Sequence, residues 1–241
     1  KLREKHGSSF VPKTTLTKPV GAPGQGQSLD KNIKVANSLF DSIGWLMGVD
    51  GIRSKNGKRM TIKLVLNSPL FQRIVEPYKN NLKKIGVELD IKVVQIAKYE
   101  EILRNFNFDM IVANYPQSRS PGNEQRSMWS SEAESTPGSR NYMGVKNPAV
   151  DELINTIVEA KSRKDLINYI QAMDRILTHQ FYIVPNWYIP YDRIVYWNKF
   201  SRPKINASQS IIINNILEWW WLDQNKATTL KKARDSGSSL Q

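Results

Sequence analysis

The chain of 241 residues has 40% hydrophobic and 24% charged residues, which is typical of a folded protein with one large domain or two modest ones. It has no cysteine and only two histidines; this excludes disulfide scaffolds, thiol nucleophiles and cysteine-ligated centres, and we expect neither a metal nor a cofactor. The net charge of +13 raises nucleic acid or an anionic surface as candidate partners, and no apolar run reaches the roughly 18 residues of a membrane span.

Residues 1–30 are predicted to form an extended linker between domains. Proline and glycine recur there in a polar stretch without a periodic apolar face, at Pro12, Pro19, Gly21, Pro23, Gly24 and Gly26. From Asp30 the apolar spacing predicts a helix that ends near Gly44. The Asn56-Gly57 pair that follows is typical of a tight turn.

The next eighty residues predict a β-α-β-α-β order. Alternating apolar residues indicate strands over 60–67 and 87–94, and a continuous apolar run indicates a third, central strand over 108–113. Ser68 and Pro69 start a helix over 69–85, Gly86 ends it, and a short helix follows over about 99–105. Strands alternating with helices predict an α/β fold with a mainly parallel sheet.

The last part of the chain predicts helices, one strand and an aromatic tail. Residues 115–145 show no secondary-structure period, and a structureless stretch of this length is typical of a binding loop. Helices are predicted over 148–160 and 163–179, packed on the sheet, with Asn147 and Ser162 as N-caps. Residues 182–188 predict a strand, and an irregular tail contains Trp197 and Trp219, Trp220 and Trp221.

Residues 114–126 are the strongest candidate binding segment. They follow the carboxyl end of the third predicted strand, where open α/β sheets bind ligands. An aromatic ring, amides, one carboxylate and two guanidinium groups would suit the main chain and the terminal charges of a peptide. The alternative, a solvated loop held by internal ion pairs such as Glu124 with Arg126, stays open on the residues alone.

Other residues give weaker signals. Trp129 and Trp187 could stack on a ligand, although large aromatic side chains more often belong to a core. His179 ends a predicted helix, where the helix dipole explains it without a catalytic role. The chain lacks the GxSxG, HExxH, Walker A and GxGxxG motifs, so we expect no enzyme.

The charge distribution disfavours nucleic acid along the aromatic stretch. Residues 105–196 carry 9 basic and 10 acidic side chains, a net charge of −1, whereas residues 1–104 carry 19 and 9, a net charge of +10. A nucleic-acid groove needs cations interleaved with its aromatic rings, because phosphate contacts supply most of the affinity. A basic nucleic-acid-binding or anionic-surface-binding protein remains the alternative function.

Several strings of the sequence resemble one known family. FDMIVANYPQSRSPGNEQRSMW (residues 108–129) and TPGSRNYMGVKNPAVDELI (136–154) are similar to the C-terminal part of bacterial extracellular solute-binding proteins of family 5. Further matches are PYKNNLKKIGVELDIKVV (77–94), DRILTHQFYIVPNWY (174–188) and FSRP (200–203). SPGNEQR and PGSRN resemble the Yej-type peptide-binding subunits of ABC importers in particular, and NPAVDELI is shared across the family.

This resemblance implies a hinged receptor of two lobes that captures oligopeptides in the periplasm and delivers them to a membrane permease, without catalysis. It implies a type II periplasmic-binding-protein lobe, with a mainly parallel sheet and flanking helices, and a signal peptide and first lobe upstream. Residues 31–186 would form the second lobe, and residues 187–241 would return to the first lobe. We expect a monomer that binds no nucleic acid.

The resemblance also fails at one position. Many family members carry an Asp in this loop that pairs with the α-amino group of the peptide, and Ser118 stands there in this chain. Glu124 is the nearest carboxylate that could replace it. The residues predicted to bind a peptide are Tyr115, Gln117, Ser118, Arg119, Asn123, Glu124, Arg126, Trp129 and Trp187.

Overall fold

The computed structural model describes residues 1–16, 25–187, 193–203 and 220–239, and the chain divides into two compact units, Lys1–Pro185 and Asn186–Gln241. The helices of the first unit are α1 (Leu2–His6), α2 (Leu29–Ser42), α3 (Gln72–Lys83), α4 (Ile96–Arg104), α5 (Glu124–Trp129), α6 (Pro148–Val158) and α7 (Arg163–His179). Its strands are β1 (Leu46–Met47), β2 (Arg53–Lys55), β3 (Lys58–Arg59), β4 (Thr61–Leu66), β5 (Glu88–Val93) and β6 (Met110–Ile111). No described helix is long and apolar enough to cross a membrane.

A parallel sheet of order β5-β4-β6 forms the centre of the predicted β-α-β-α-β segment. Thr61 of β4 pairs with Glu88 of β5, and Leu64 pairs with Met110 of β6. The parallel pairing is confirmed. The central position predicted for the third strand, β6, is wrong. Strand β4 is central because β5 and β6 both pair with it, and the short β6 lies at the edge of the sheet.

The sheet and α3 share one hydrophobic core. Leu64, Leu66 and Leu89 of the strands are buried against Val75 of α3. The helix starts as the sequence predicts: the Ser68 hydroxyl accepts a hydrogen bond from the Leu70 N–H at 3.3 Å before a short 3-10 turn, Pro69–Phe71. Residues 69–85 thus divide into this turn and α3.

Helices α6 and α7 bury their apolar faces in a second core, so their predicted packing on the sheet is wrong. Val150, Ile154 and Ile157 of α6 contact Met173 and Ile176 of α7, and this core also includes Val11. The predicted N-caps are confirmed, since Asn147 accepts from the Ala149 N–H at 2.9 Å and Ser162 accepts from the Asp165 N–H at 3.1 Å. The apolar residues of both helices belong to this core and not to the core of the sheet.

The first sixteen residues are folded rather than extended as the linker prediction required. They contain α1 and a 3-10 turn, Lys13–Leu16, and Val11 is buried at 3% exposure in the core of α6 and α7. The Asn147 amide donates to the Phe10 carbonyl at 3.0 Å, and Glu152 of α6 pairs with Lys5 and His6 at 2.7 and 2.8 Å. The burial of a few apolar side chains stabilises this folded stretch by more than its glycine and proline residues destabilise it. Residues 17–24 lie outside the described residues.

A buried arginine joins α2 to a small antiparallel sheet, β1-β2-β3, that the sequence did not predict. Arg53 is 1% exposed, and it donates to the Ile85 carbonyl at 2.8 Å, to Asn37 Oδ1 at 2.8 Å and to Asp41 at 2.6 Å. Gly86 has a φ of 76°, and a Cβ there would lie 2.6 Å from Arg53 Cγ. Glycine is therefore required at position 86, in the turn between α3 and β5.

The segment after α7 is irregular over residues 182–187, so the strand predicted for 182–188 is wrong there, and residue 188 lies outside the described residues. No neighbouring strand offers these residues a hydrogen-bonding edge in the described chain, and a strand needs such an edge. In the second unit, β7 (Phe200–Ser201) pairs with β8 (Trp221–Leu222), followed by α8 (Gln224–Ser236). Trp197 and Trp221 are 60% and 51% exposed, and Trp219 lies outside the described residues.

Candidate functional site

The predicted binding segment contains a helix, which corrects the expectation of a structureless stretch over 115–145. Helix α5 spans Glu124–Trp129, and a 3-10 turn follows at Glu132–Glu134. A helix of six residues is too short to be stable alone. Tertiary contacts hold it, including the hydrogen bond that the Arg140 N–H donates to the Ser127 carbonyl at 3.0 Å.

A buried glutamine connects α5 to the preceding loop. Gln125 is 1% exposed, and its amide donates to Gln117 Oε1 at 2.8 Å while its Oε1 accepts from the Trp129 indole at 3.1 Å. A buried amide with both ends paired fixes the groups around it. Sequence reasoning missed this role, although Gln125 lies within the recognised string SPGNEQR.

Tyr115 is anchored inside the same cluster. Its ring stacks on Trp129 with centroids 5.1 Å apart, and its hydroxyl donates to the Arg140 carbonyl at 2.9 Å. Burial, reinforced by the neighbouring Tyr142, raises the pKa of the Tyr115 phenol well above its usual range. The stacking on Trp129 and the hydrogen bond to Arg140 therefore fix the position of the Tyr115 ring. The raised pKa keeps its phenol neutral.

The charged residues at the start of α5 do not pair with each other. Among the described residues no ion pair joins Glu124 to Arg126: Glu124 accepts from the Gly122 N–H at 2.9 Å, and Arg126 donates to Asn123 at 3.3 Å. Partial desolvation acts to raise the pKa of Glu124, but the hydrogen bonds from Gly122, its own N–H and Gln125 lower it overall. The ion pair offered as an example in the alternative interpretation therefore does not form among the described residues.

A groove of about 740 Å³ lies between this segment, one side of α7 and residues 181–185. Five of the predicted site residues line it: Tyr115, Gln117, Ser118, Arg119 and Trp129. Asn123, Glu124 and Arg126 are exposed on α5 and its start and do not line it. Trp187 belongs to the second unit, where it is 60% exposed.

The opposite wall of the groove is apolar and was missed by sequence reasoning. Leu166, Ile167, Ile170 and Leu177 of α7 line it together with Phe181 and Ile183. Ile167, Phe181 and Ile183 are 41%, 60% and 56% exposed. The available signal was Ile167, an apolar residue of α7 outside the core shared with α6, whereas Leu166, Ile170 and Leu177 line the groove and also pack against that core.

Charged side chains lie at separate places along this groove. Arg119 and Arg163 line it near the loop, where Arg163 donates hydrogen bonds to the Arg119 carbonyl and to Ser120 Oγ, the latter at 3.3 Å. Asp174 lines it farther along α7. In the described part of the chain no three His, Asp or Glu side chains converge as a metal site, and the absence of metals and cofactors stays a prediction.

The comparisons with known proteins agree on one family. The model of the bacterial extracellular solute-binding proteins, family 5 (middle), matches residues 5–137. The uncharacterised protein y4wM of Sinorhizobium fredii is 35% identical over 215 residues, covering 88% of this chain and 32% of that protein. A probable peptide-binding protein, YejA of Agrobacterium fabrum, is 34% identical over 174 residues, covering 72% and 28%.

A solved structure confirms the fold. The oligopeptide-binding protein AppA from Bacillus subtilis, solved with a nonapeptide, is similar with a TM-score of 0.56 and 22% identity over 70% of this chain and 33% of AppA. This similarity supports the type II periplasmic-binding-protein fold. The chain spans about a third of the length of the curated relatives that it matches, and it belongs to the bacterial extracellular solute-binding proteins of family 5, with Yej-type proteins among its relatives.

Proposed function

We propose that this chain forms the peptide-binding second lobe of a receptor that captures short peptides in the periplasm for an ABC importer. The observation that carries the proposal is the groove of about 740 Å³. Its size and its mainly apolar walls with a few convergent polar groups are those of a ligand site. The exposed amide of Gln117, held in place by the buried Gln125, can hydrogen-bond a peptide main chain beside the Tyr115–Trp129 pair.

The charge of the groove favours a peptide over nucleic acid. Two arginines and one aspartate line it, and a polyanion would meet no row of cations there. The excess of positive charge lies in residues 1–104, mainly outside the groove wall. The proposal therefore assigns the charge of +13 to the surface and not to the binding site.

The wider receptor follows from family membership and is part of the same proposal. Residues 31–186 are assigned to the second lobe and residues 187–241 to a segment that returns to the first lobe. The receptor passes its peptide to a membrane permease, carries out no chemistry and acts as a monomer. Exposed Trp197 and Trp221 suit a surface that another lobe covers.

A titration followed at the Trp129 indole tests the proposal. The ¹H–¹⁵N indole signal of Trp129, identified by its loss in Trp129→Phe, should move when the chain is titrated with a pool of four- to six-residue peptides. The shift should persist between 50 and 300 mM salt, since apolar burial is little screened. A DNA oligonucleotide is the comparison ligand.

Two outcomes would contradict the proposal. One is a Trp129 signal that no peptide moves at millimolar concentration while the spectrum remains that of a folded protein. The other is a DNA-induced shift at Trp129 that disappears steeply with salt, which would favour an anion-binding groove.

A further inference from the structure

Two opposite charges lie on one face of α7 and mark a cationic and an anionic end of the stretch between them. Arg163 and Asp174 both line the groove and are separated by eleven residues. Eleven residues make about three helical turns, so the two positions lie within roughly 20° of each other around the axis and about 16 Å apart along it. A cation and an anion therefore face the same cavity about three helical turns apart, and the α7 lining continues past Asp174 to Leu177 and Thr178.

The cationic end contains two arginines that line the groove, Arg119 and Arg163. Arg163 is tied to the loop through its hydrogen bonds to the Arg119 carbonyl and Ser120 Oγ, and the Arg119 side chain lines the groove beside it. Paired guanidinium groups match the geometry of a carboxylate, which accepts two parallel hydrogen bonds. This end suits a terminal carboxylate.

The anionic end contains Asp174. It is the one carboxylate among the described residues that line the groove, and no ion pair to it occurs in the described part of the chain. A carboxylate without a cationic partner that lines a cavity suits an ammonium group. Between Arg163 and Asp174 the α7 wall is formed by Leu166, Ile167 and Ile170, so the interior favours apolar side chains.

We infer that the groove binds a peptide in one direction, with its terminal carboxylate at Arg119 and Arg163 and its α-ammonium group at Asp174. An extended peptide spans about 3.3–3.6 Å per residue, so a separation of about 16 Å corresponds to about five residues. The inference rests on the proposed function and adds the direction, the length and two recognition residues, Arg163 and Asp174.

Peptides with blocked ends test the inference. For an apolar pentapeptide, N-acetylation and C-amidation should each weaken binding by about tenfold, as expected when one charge-assisted contact is lost. Asp174→Asn should reduce the effect of acetylation to less than twofold and leave the effect of amidation unchanged. Arg119→Gln should reduce the effect of amidation and leave the effect of acetylation unchanged. Among apolar peptides of different length, affinity should be highest near five residues.

Matched substitutions outside the groove serve as controls. Glu100→Gln on α4 and Arg73→Gln on α3 make the same charge changes at exposed positions that do not line the groove, and both should preserve the two tenfold effects. The titration of the Trp129 indole signal reports binding in every variant. The amide spectrum reports whether each variant is folded.

The outcomes separate this inference from the proposed function. If free, acetylated and amidated pentapeptides bind equally well, the inference is wrong and the peptide-binding function stands. If Asp174→Asn changes the response to amidation instead, the direction is reversed and the inference is wrong. If no peptide binds, the proposed function fails and the inference fails with it.

Discussion

Replacement of the buried Gln125 by methionine should weaken both the fold of the site and the binding of peptides. Methionine fills a similar volume but cannot make the hydrogen bonds of the Gln125 amide with Gln117 at 2.8 Å, Trp129 at 3.1 Å and Glu124 at 3.3 Å. Gln117 and Glu124 are exposed and can bind water instead. The Trp129 indole is only partly accessible and loses its acceptor.

The expected loss in the free energy of unfolding is about 2–4 kcal/mol. Loss of the hydrogen bonds to the exposed Gln117 and Glu124 lowers the free energy of unfolding by about 0.5–1 kcal/mol each, and the unpaired Trp129 indole N–H lowers it by about 1–2 kcal/mol more. With a denaturant slope of about 2–3 kcal/mol per M urea, the midpoint of unfolding should fall by about 1 M. Because Gln117 lines the groove, the loss of its anchor should also weaken peptide binding several-fold.

Urea titrations followed at the Trp129 indole signal measure the first effect, and peptide titrations of the same samples measure the second. Gln72→Met, at an exposed position on α3, is the control and should change neither quantity. The reasoning is refuted if Gln125→Met unfolds within 0.2 M urea of the unmodified protein and binds peptides equally well. In that case the hydrogen bonds around Gln125 do not hold the groove wall.

Three further predictions concern individual side chains. Arg53→Met should lower the free energy of unfolding by about 2–4 kcal/mol, since the Ile85 carbonyl and Asn37 Oδ1 lose the donor that this buried side chain provides; a urea midpoint unchanged from that of the unmodified protein would contradict this. Burial raises the pKa of Tyr115 from its usual value near 10. The neutral phenol therefore contributes to the free energy of unfolding below pH 10, and this contribution is lost as the pH rises further. Stability should therefore fall less between pH 9 and 11 in Tyr115→Phe, and equal losses in both proteins would oppose the assignment. Hydrogen bonds from Lys5 and then His6 lower the pKa of Glu152, so the docking of α1 on α6 should weaken as the pH falls through that lowered pKa. ¹⁵N relaxation of residues 2–6 should show this loss of docking in the unmodified protein and not in Glu152→Gln.

Local chemistry explains why part of the fold could be predicted from the sequence. Strand β5 alternates polar and apolar side chains, and β4 does so as far as Leu64. The caps at Ser68, Asn147 and Ser162 use hydrogen bonds between residues two or three positions apart. The Asn56-Gly57 turn also depends only on adjacent residues, and both have a positive φ, of 50° and 74°. Such signals are complete within a short window, so no knowledge of distant residues is required.

Predictions that needed a distant partner failed more often. The third strand resembled a central strand by its apolar run, but its place at the edge follows from β4 having neighbours on both sides. Residues 1–16 resembled a linker, although Val11 has a place in the core of α6 and α7. In each case the deciding contact joins residues far apart in the chain, which no local pattern contains.

The candidate site divides in the same way. The sequence by itself determined the family, through strings such as SPGNEQR, and the stretch that provides Tyr115, Arg119 and Trp129. Only the tertiary structure decided that α7 forms the facing wall and places Asp174 in the groove. The physical reason is that the amphipathic pattern of α7 marks its apolar side but not where that side passes from a core to a cavity. Leu166, Ile170 and Leu177 border both, and the position of this boundary depends on the packing of α6 against α7.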